Sequence, residues 1–323
     1  MMISIIIPVY KVEDFIGSCL NSVCQQTYSE IEVILVDDCS PDRSMAVAEP
    51  FICELKKKFP VKVIRHEKNK GLSAARNTGV MNSLGDYLFF LDSDDELPKN
   101  AMLSFVACLQ KFGNVDFLIG NAEVIGDFCC KRFTEEMLLT TNEQIVDKYI
   151  SEDLYVMAWG KLIKRSFFLE KDLWFIEGLL HEDEYFSFRL MIYSSTAVIV
   201  KDYVYKYVVR HSGSITATKG KKNYVDYLRI ITLKIDLMLR EATYQKEPKI
   251  YSFFVSVLYG FTTYVIETEC LRLNEKAMML QEVRTLKDNL KQFKKRRSLQ
   301  DSVKKWIINI AAFTYYIIIK VRS

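Results

Sequence analysis

The sequence predicts an α/β protein: a mostly parallel central sheet flanked by helices, followed by a helical extension at the carboxyl end. Two observations carry that expectation. Over about the first hundred residues, short apolar runs alternate with segments of helical periodicity, and units of this length form parallel sheets with right-handed crossovers. Beyond about residue 219 the pattern is helical alone.

SIIIPVY at 4–10 is the first apolar run, stopped by Pro8, after which Phe15, Ile16, Cys19, Leu20 and Val23 recur at helical spacing. IEVILVDDCSPD at 31–42 is the second. It ends in Asp37, Asp38 and a Ser40-Pro41-Asp42 turn, and a helix carrying Ile52, Leu55 and Phe59 follows. VKVIRHEKNKG at 61–71 is the third, and a helix opens after Gly71. YLFFLDSDDEL at 87–97 is the most informative stretch. Its apolar half has no breaker and reads as a buried strand, which gives way at once to Asp92, Ser93, Asp94, Asp95 and Glu96.

Parallel sheets bind ligands at the carboxyl ends of their strands. Pro8 and Tyr10, Asp37 and Asp38, and Asp92 and Asp94 all fall at those ends. Carboxylates clustered at the end of a buried strand repel one another and lose solvation. A hard divalent cation, Mg²⁺ or Mn²⁺, relieves both penalties. A polar turn capping the next helix would use the same residue types. The first strand is not followed by Gly-x-Gly-x-x-Gly, and no Walker loop occurs, so phosphates would fall to metal and cationic side chains, with Arg76 placed to help. Tyr10 offers a flat face for a nucleobase. Asp38 could accept a hydrogen from N3–H of uracil or thymine or from N1–H of guanine, which disfavours cytosine.

These segments also carry a resemblance. ISIIIPVYKVEDFI, EVILVDDCSPDRS, NKGLSAARNTG and GDYLFFLDSDDEL together look like the nucleotide-binding half of family 2 glycosyltransferases with the GT-A fold. WGKLIKRSFF at 159–168 resembles the family's Trp-Asn-Lys-Leu segment with Gly160 in place of Asn, FIEGLLHEDEYF at 175–186 its Glu-Asp segment, and YKYVVRHSGSIT at 205–216 the segment closing the catalytic domain. The resemblance implies a catalytic domain over 1–218, with a nucleotide half (1–97) and an acceptor half (98–218), ahead of a helical region at 219–323.

It also implies roles. Pro8, Tyr10 and Glu13 belong to the segment that meets the nucleoside, Asp38 matches the carboxylate that binds the nucleobase, and Arg76 lies near the diphosphate. Asp92 and Asp94 form the Asp-x-Asp pair, Asp92 toward ribose and metal and Asp94 as direct metal ligand. Asp183 matches the general base of inverting members. The activity implied is metal-dependent transfer of a hexosyl or N-acetylhexosaminyl group from a nucleotide sugar, a UDP-sugar first, to a glycan or lipid-linked acceptor in surface polysaccharide assembly.

Several of these residues have blander alternatives. Asp183, in His181-Glu182-Asp183-Glu184, could be acidic decoration of a helix start, and Glu182 competes for the basic role. His181 reads as acceptor-side or packing, Trp159 as acceptor-site floor or core, His66 as structural, and His211 as a further metal ligand or an ordinary residue after a strand. A sugar-1-phosphate nucleotidyltransferase would need a glycine-rich loop after the first strand, which PVYKVED lacks. A non-catalytic glycan-binding protein of the same fold would be expected to have lost at least one of Arg76, Asp92, Asp94 and Asp183.

A net charge of +3 is too small to suggest nucleic-acid binding, and the 8 cysteines are scattered, as in a reduced intracellular protein. The amino terminus enters the first strand at once, so no signal peptide is expected. Helices are expected at 223–244, 250–273 and 275–293, then a basic run including Lys294, Lys295, Arg296, Arg297, Lys304 and Lys305. The apolar stretch WIINIAAFTYYIII at 306–319 is shorter than a spanning helix needs. With cations around it, it suits an interfacial helix on an anionic membrane surface, which would put the protein on the cytoplasmic face. The alternative is a helix docked on the catalytic domain or on a second copy in a homodimer.

Overall fold

The structure is a computed structural model that describes residues 1–127, 131–209, 220–294 and 298–322. His211, Cys129, Cys130, Lys295, Arg296 and Arg297 lie outside the described residues. The chain divides into two compact units, Met1–His211 and Ser212–Ser323.

In the first unit the strands are β1 (Ile3–Val9), β2 (Ile31–Asp37), β3 (Val61–Arg65), β4 (Tyr87–Phe90), β5 (Phe117–Ile125), β6 (Met137–Leu139), β7 (Lys161–Lys164) and β8 (Ala197–Val208). The helices are α1 (Ile16–Cys24), α2 (Ser44–Lys56), α3 (Leu72–Met81), α4 (Ala101–Phe112), α5 (Asn142–Ile150), α6 (Arg165–Glu170) and α7 (Glu182–Tyr193). The strands form one sheet in the order β3-β2-β1-β4-β7-β5-β8-β6. β1, β2 and β4 are buried at every position, as strands covered on both faces must be, which is why they read as largely apolar runs; within them the buried Ser4 of β1 donates to the buried Glu32 of β2 (2.6 Å).

β1 pairs in parallel with β2 and with β4, so Val9, Asp37 and the residues after Phe90 emerge at one edge. β7 is the exception that makes the sheet mixed, running antiparallel between β4 and β5. It also carries residues 161–164 into the middle of the sheet. α3 lies against β1 so closely that a Cβ at Gly79 would stand 2.3 Å from Ile6 Cγ2, a contact only glycine permits. That approach fixes the helix on which Arg76 sits.

The second unit is helical: α8 (Lys221–Arg240), α9 (Ala242–Gln245), α10 (Pro248–Glu267), α11 (Leu273–Asn289) and α12 (Leu299–Arg322). α10 starts with Pro248 in its first turn, where a missing N–H costs nothing. By length and composition alone, α10 is apolar enough to cross a membrane. Phe254, Val255, Leu258, Phe261 and Val265 are buried along it, however, as in the core helix of a bundle.

The apolar stretch expected at 306–319 is part of the longer helix α12, and the two lysines just before it are held within the bundle. Lys304 donates to Ser256 Oγ (2.8 Å) and Lys305 to the Tyr251 hydroxyl (3.0 Å), both on α10. Leu299, Val303, Trp306, Ile310, Phe313 and Ile317 lie exposed on α12. These two lysines are thus engaged in the bundle's own packing.

Candidate active site

The carboxyl ends of β1 and β2 and the start of α3 are bound together through Asp38. This side chain is 2% exposed. Its Oδ1 receives the Lys70 N–H (2.8 Å) and lies 2.6 Å from His66 Nδ1, while Oδ2 receives the Gly71 N–H (2.8 Å). A carboxylate oxygen accepts two hydrogen bonds, so among the described residues Oδ2 retains one open acceptor position. Asp38 thus anchors the turn that launches α3. His66, whose Nε2 lies 2.9 Å from Thr78 Oγ1, takes the structural place expected of it.

Beside this anchor, Pro8 is buried in β1 and Tyr10 is 39% exposed, with Lys11 Nζ 5.3 Å from its ring centroid. Glu13 is exposed and engaged locally: its Oε2 receives the Arg43 N–H (2.9 Å) at the start of α2. Pro8, Tyr10 and Asp38 share the sheet edge, whereas Glu13 is tied to the loop that borders it.

The acidic stretch after β4 resolves into carboxylates with different duties. Asp95 is 1% exposed and belongs to the framework, its Oδ2 receiving the Tyr205 hydroxyl (2.8 Å) and its Oδ1 the Val208 N–H (2.8 Å). The Tyr205 oxygen in turn receives the Asp92 N–H (3.1 Å). Asp92 Oδ1 receives Arg76 Nη2 at 2.7 Å, and Asp94 remains half-buried in the same turn.

Burial, then the charges of Asp94 and Asp92, push the Asp95 carboxyl up to about 8. The turn is therefore short of positive charge even with Arg76 beside it. Among the described residues no group of three or more His, Cys, Asp or Glu gathers as a metal cage. Asp92 and Asp94, both half-buried in this turn, are the hard oxygen ligands that Mg²⁺ or Mn²⁺ would take.

Arg76 joins this turn to the start of α7. It is 3% exposed, and its second nitrogen, Nη1, donates to Glu182 Oε1 at 2.7 Å. The Phe175 ring lies 5.2 Å from the guanidinium carbon, and Nε is buried without an acceptor among the described residues. Burial works against the guanidinium charge, but Asp92 and Glu182 hold its pKa above the usual value. Asn77, the next residue, exchanges two hydrogen bonds with the Phe175 backbone (2.9 and 3.0 Å). The loop before α7 is thereby fastened to α3.

α7 begins with His181 in the left-handed region (φ 59°), then Glu182, Asp183 and Glu184 in its first turn. Asp183 is half-buried, yet the protein encloses its carboxyl. Burial first, then Glu182 and Glu184, push its pKa up to about 7, against the lowering effect of Arg76 and Lys161. A carboxylate titrating near neutrality can collect a proton from a hydroxyl and pass it on.

Trp159 is 4% exposed and stacks on Tyr205 (4.6 Å, 7°) and Tyr207 (5.5 Å). Of its two readings, core is the one its burial favours: it stiffens the tyrosine that holds Asp92 and Asp95, and offers no open face to an acceptor. Sequence reasoning passed over Lys161, Tyr155 and Tyr205. A lysine heading the otherwise apolar start of a strand was the signal available for the first. The two tyrosines gave none.

A mixed sheet with an Asp-x-Asp turn at its parallel edge, faced by an acidic helix start, defines a GT-A glycosyltransferase fold. The family described as Glycosyl transferase family 2 matches residues 4–169, about half of the chain, and the protein belongs to that family. Glycosyltransferase GlyG of Streptococcus pneumoniae is 29% identical over 248 residues, covering 72% of this chain and 79% of GlyG. Glycosyltransferase GlyA of the same organism is 30% identical over 232 residues, 68% of this chain but only 32% of GlyA. The crystal structure of S. aureus TarS 1-349 in complex with UDP-GlcNAc superposes with a TM-score of 0.72. That superposition covers 98% of this chain and 92% of the TarS fragment at 20% identity, a likeness of fold.

Proposed function

We propose that this glycosyltransferase moves a sugar from a UDP-sugar to a hydroxyl of a glycan or lipid-linked acceptor, with inversion and with a divalent metal. The observation that carries this reading is Arg76, whose two terminal nitrogens hold Asp92 and Glu182 at 2.7 Å each and so set the donor-side turn beside the acidic helix start. The fold neighbour TarS is described in complex with UDP-GlcNAc, and TarS of Staphylococcus aureus as a poly(ribitol-phosphate) β-N-acetylglucosaminyltransferase. Both descriptions support a UDP-sugar donor and a surface-polymer acceptor here.

In this reading Tyr10 stacks on the nucleobase, and the open acceptor position of Asp38 takes its imide hydrogen. Asp92 and Asp94 would hold Mn²⁺ or Mg²⁺, which when bound neutralises charge on the diphosphate. Arg76 adds fixed positive charge beside Asp92. Asp183 takes the proton of the acceptor hydroxyl as its oxygen bonds to the sugar carbon. The bond from that carbon to the diphosphate oxygen breaks with its electron pair, and the nucleoside diphosphate leaves. One displacement from the face opposite the leaving group inverts the carbon. Catalysis is otherwise positioning and charge stabilisation.

We assign this chemistry to residues 1–218 and docking at the cytoplasmic face of a membrane to the helical region, on the support of the exposed apolar face of α12. The test is hydrolysis of a panel of UDP-, dTDP-, GDP- and CDP-sugars with Mn²⁺ and with EDTA, the product anomer being read by NMR. Metal-dependent release of the inverted sugar from a UDP donor is expected. Retention, or full activity in EDTA, overturns the mechanism.

A further inference from the structure

Between Trp159 and Lys161 the chain carries Gly160, and the Tyr155 side chain fills the space beside it. Gly160 is in the left-handed region (φ 68°), and a Cβ there would lie 2.1 Å from the hydroxyl oxygen of Tyr155. That hydroxyl is within 2.9 Å of the carbonyl oxygens of both Gly120 and Gly160, to which its proton is shared. The Tyr155 ring stands 5.1 Å from Trp159 and 4.3 Å below the ammonium of Lys161. Lys161 is fully buried, and its ammonium also donates to the Met157 carbonyl.

The same loop faces α7. Ser187 Oγ donates to the Val156 carbonyl, between Tyr155 and Met157. Residues four apart share a helix face, so Asp183, one turn before Ser187, is directed at the loop that houses Lys161.

We propose that Lys161 is a positioning residue for Asp183, its enclosed ammonium favouring the carboxylate form, and that the Tyr155 ring holds that ammonium in place. The inference rests on the reading of Asp183 as general base. A fully buried ammonium held, among the described residues, by one ring and one carbonyl gains from a nearby carboxylate. Burial pushes Lys161 down to about 7, with Asp183 opposing the fall. The charged groups around Asp183 are Glu182 and Glu184 on its own helix, Arg76 from α3 and Lys161 from β7, with His181 at the helix start. Of the two cations, Arg76 is already shared between Asp92 and Glu182.

The experiment compares the full-length wild type, Lys161→Met, Tyr155→Phe and Asp183→Asn. In ¹⁵N-lysine NMR the Lys161 amine is expected to titrate at lower pH in Asp183→Asn than in wild type. In hydrolysis of UDP-GlcNAc with water as acceptor, Lys161→Met should move the acid limb of kcat up by about one pH unit with donor KM unchanged. Tyr155→Phe should move it the same way by less, and carries the kinetic arm if Lys161→Met does not fold. An unchanged Lys161 titration in Asp183→Asn, or an unmoved acid limb with only lower amplitude, overturns the proposal. If Asp183→Asn keeps full turnover while its Lys161 titration shifts, the coupling stands and the general-base reading fails.

Discussion

Arg76 and Asp92, 16 positions apart in sequence, meet at 2.7 Å, the arginine 3% and the aspartate 24% exposed at the side chain. A buried guanidinium is tolerated because this carboxylate and that of Glu182 both reach it, and the cost of breaking such a contact exceeds what forming it gains. Arg76→Met should therefore lose about 3–5 kcal/mol of unfolding free energy, because Asp92 and Glu182 are left facing each other without a cation. Urea denaturation checks the loss. Stability within 1 kcal/mol of wild type, again about the size of an exposed pair, would mean the contact is loosely held.

Asp94→Ala should leave the fold intact and abolish Mn²⁺-dependent donor binding. Removing a carboxylate from a turn where Asp92 and Asp94 already push the Asp95 proton affinity upward relieves repulsion and opens no core cavity. Calorimetry with UDP, with and without Mn²⁺, distinguishes the outcomes. An active Asp94→Ala enzyme would remove this carboxylate from the metal site.

UDP should bind better than CDP by about 1.5–3 kcal/mol, the value of one charge-assisted hydrogen bond to Asp38 together with the cost of setting a carboxylate against the acceptor N3 of cytosine. The remaining acceptor position on Oδ2 is what makes this possible, since Oδ1 is taken by His66 and the Lys70 N–H. Equal affinities by calorimetry would leave Asp38 with its anchoring duty alone.

The alternation of buried strands and amphipathic helices made the first hundred residues legible in the sequence, because each element there announces itself locally: β1, β2 and β4 are mostly apolar, with the bonded pair Ser4 and Glu32 as interruptions, and end in polar clusters. β7 was harder to see. Four residues inserted antiparallel between β4 and β5 are specified by their neighbours and not by their own pattern. The site shows the same division. The placement of Asp92 after a buried strand and of Asp183 at a helix start could be expected from the local pattern, but the contact of Glu182 with Arg76 spans 106 positions, and the stack of Trp159 on Tyr205 exists only once β8 has folded beside it. Asp95 belongs to the same acidic run in sequence, but its two oxygens hold β8, a contact that only the folded chain creates.

The helix α12 calls for substitution in place of truncation. Ile308, Ala311 and Ala312 are buried, so deleting 306–323 would strip cover from the bundle and should lower its melting temperature. Trp306→Gln with Phe313→Gln changes only exposed positions, 64% and 57% open. We expect this double variant to keep its melting temperature and its donor hydrolysis while losing binding to vesicles that contain anionic lipid. Unchanged co-sedimentation would move the membrane contact elsewhere.

The general base is tested by separating two adjacent carboxylates. Asp183→Asn keeps size and most hydrogen bonding but cannot take the acceptor's proton. Turnover should fall by roughly 10²–10⁴-fold with donor and metal affinity unchanged. Glu182→Gln should do much less, because neighbours on a helix point about 100° apart and glutamine retains the oxygen that receives Arg76. The pH profile supplies an independent check with a definite sign. A general base works deprotonated, and burial with Glu182 and Glu184 raises Asp183 to about 7, so wild-type kcat should climb with pH through about 7 and level off above it. In Asp183→Asn that climb should disappear from the residual rate. A Glu182→Gln enzyme that is inactive, beside an active Asp183→Asn enzyme, would exchange the two assignments.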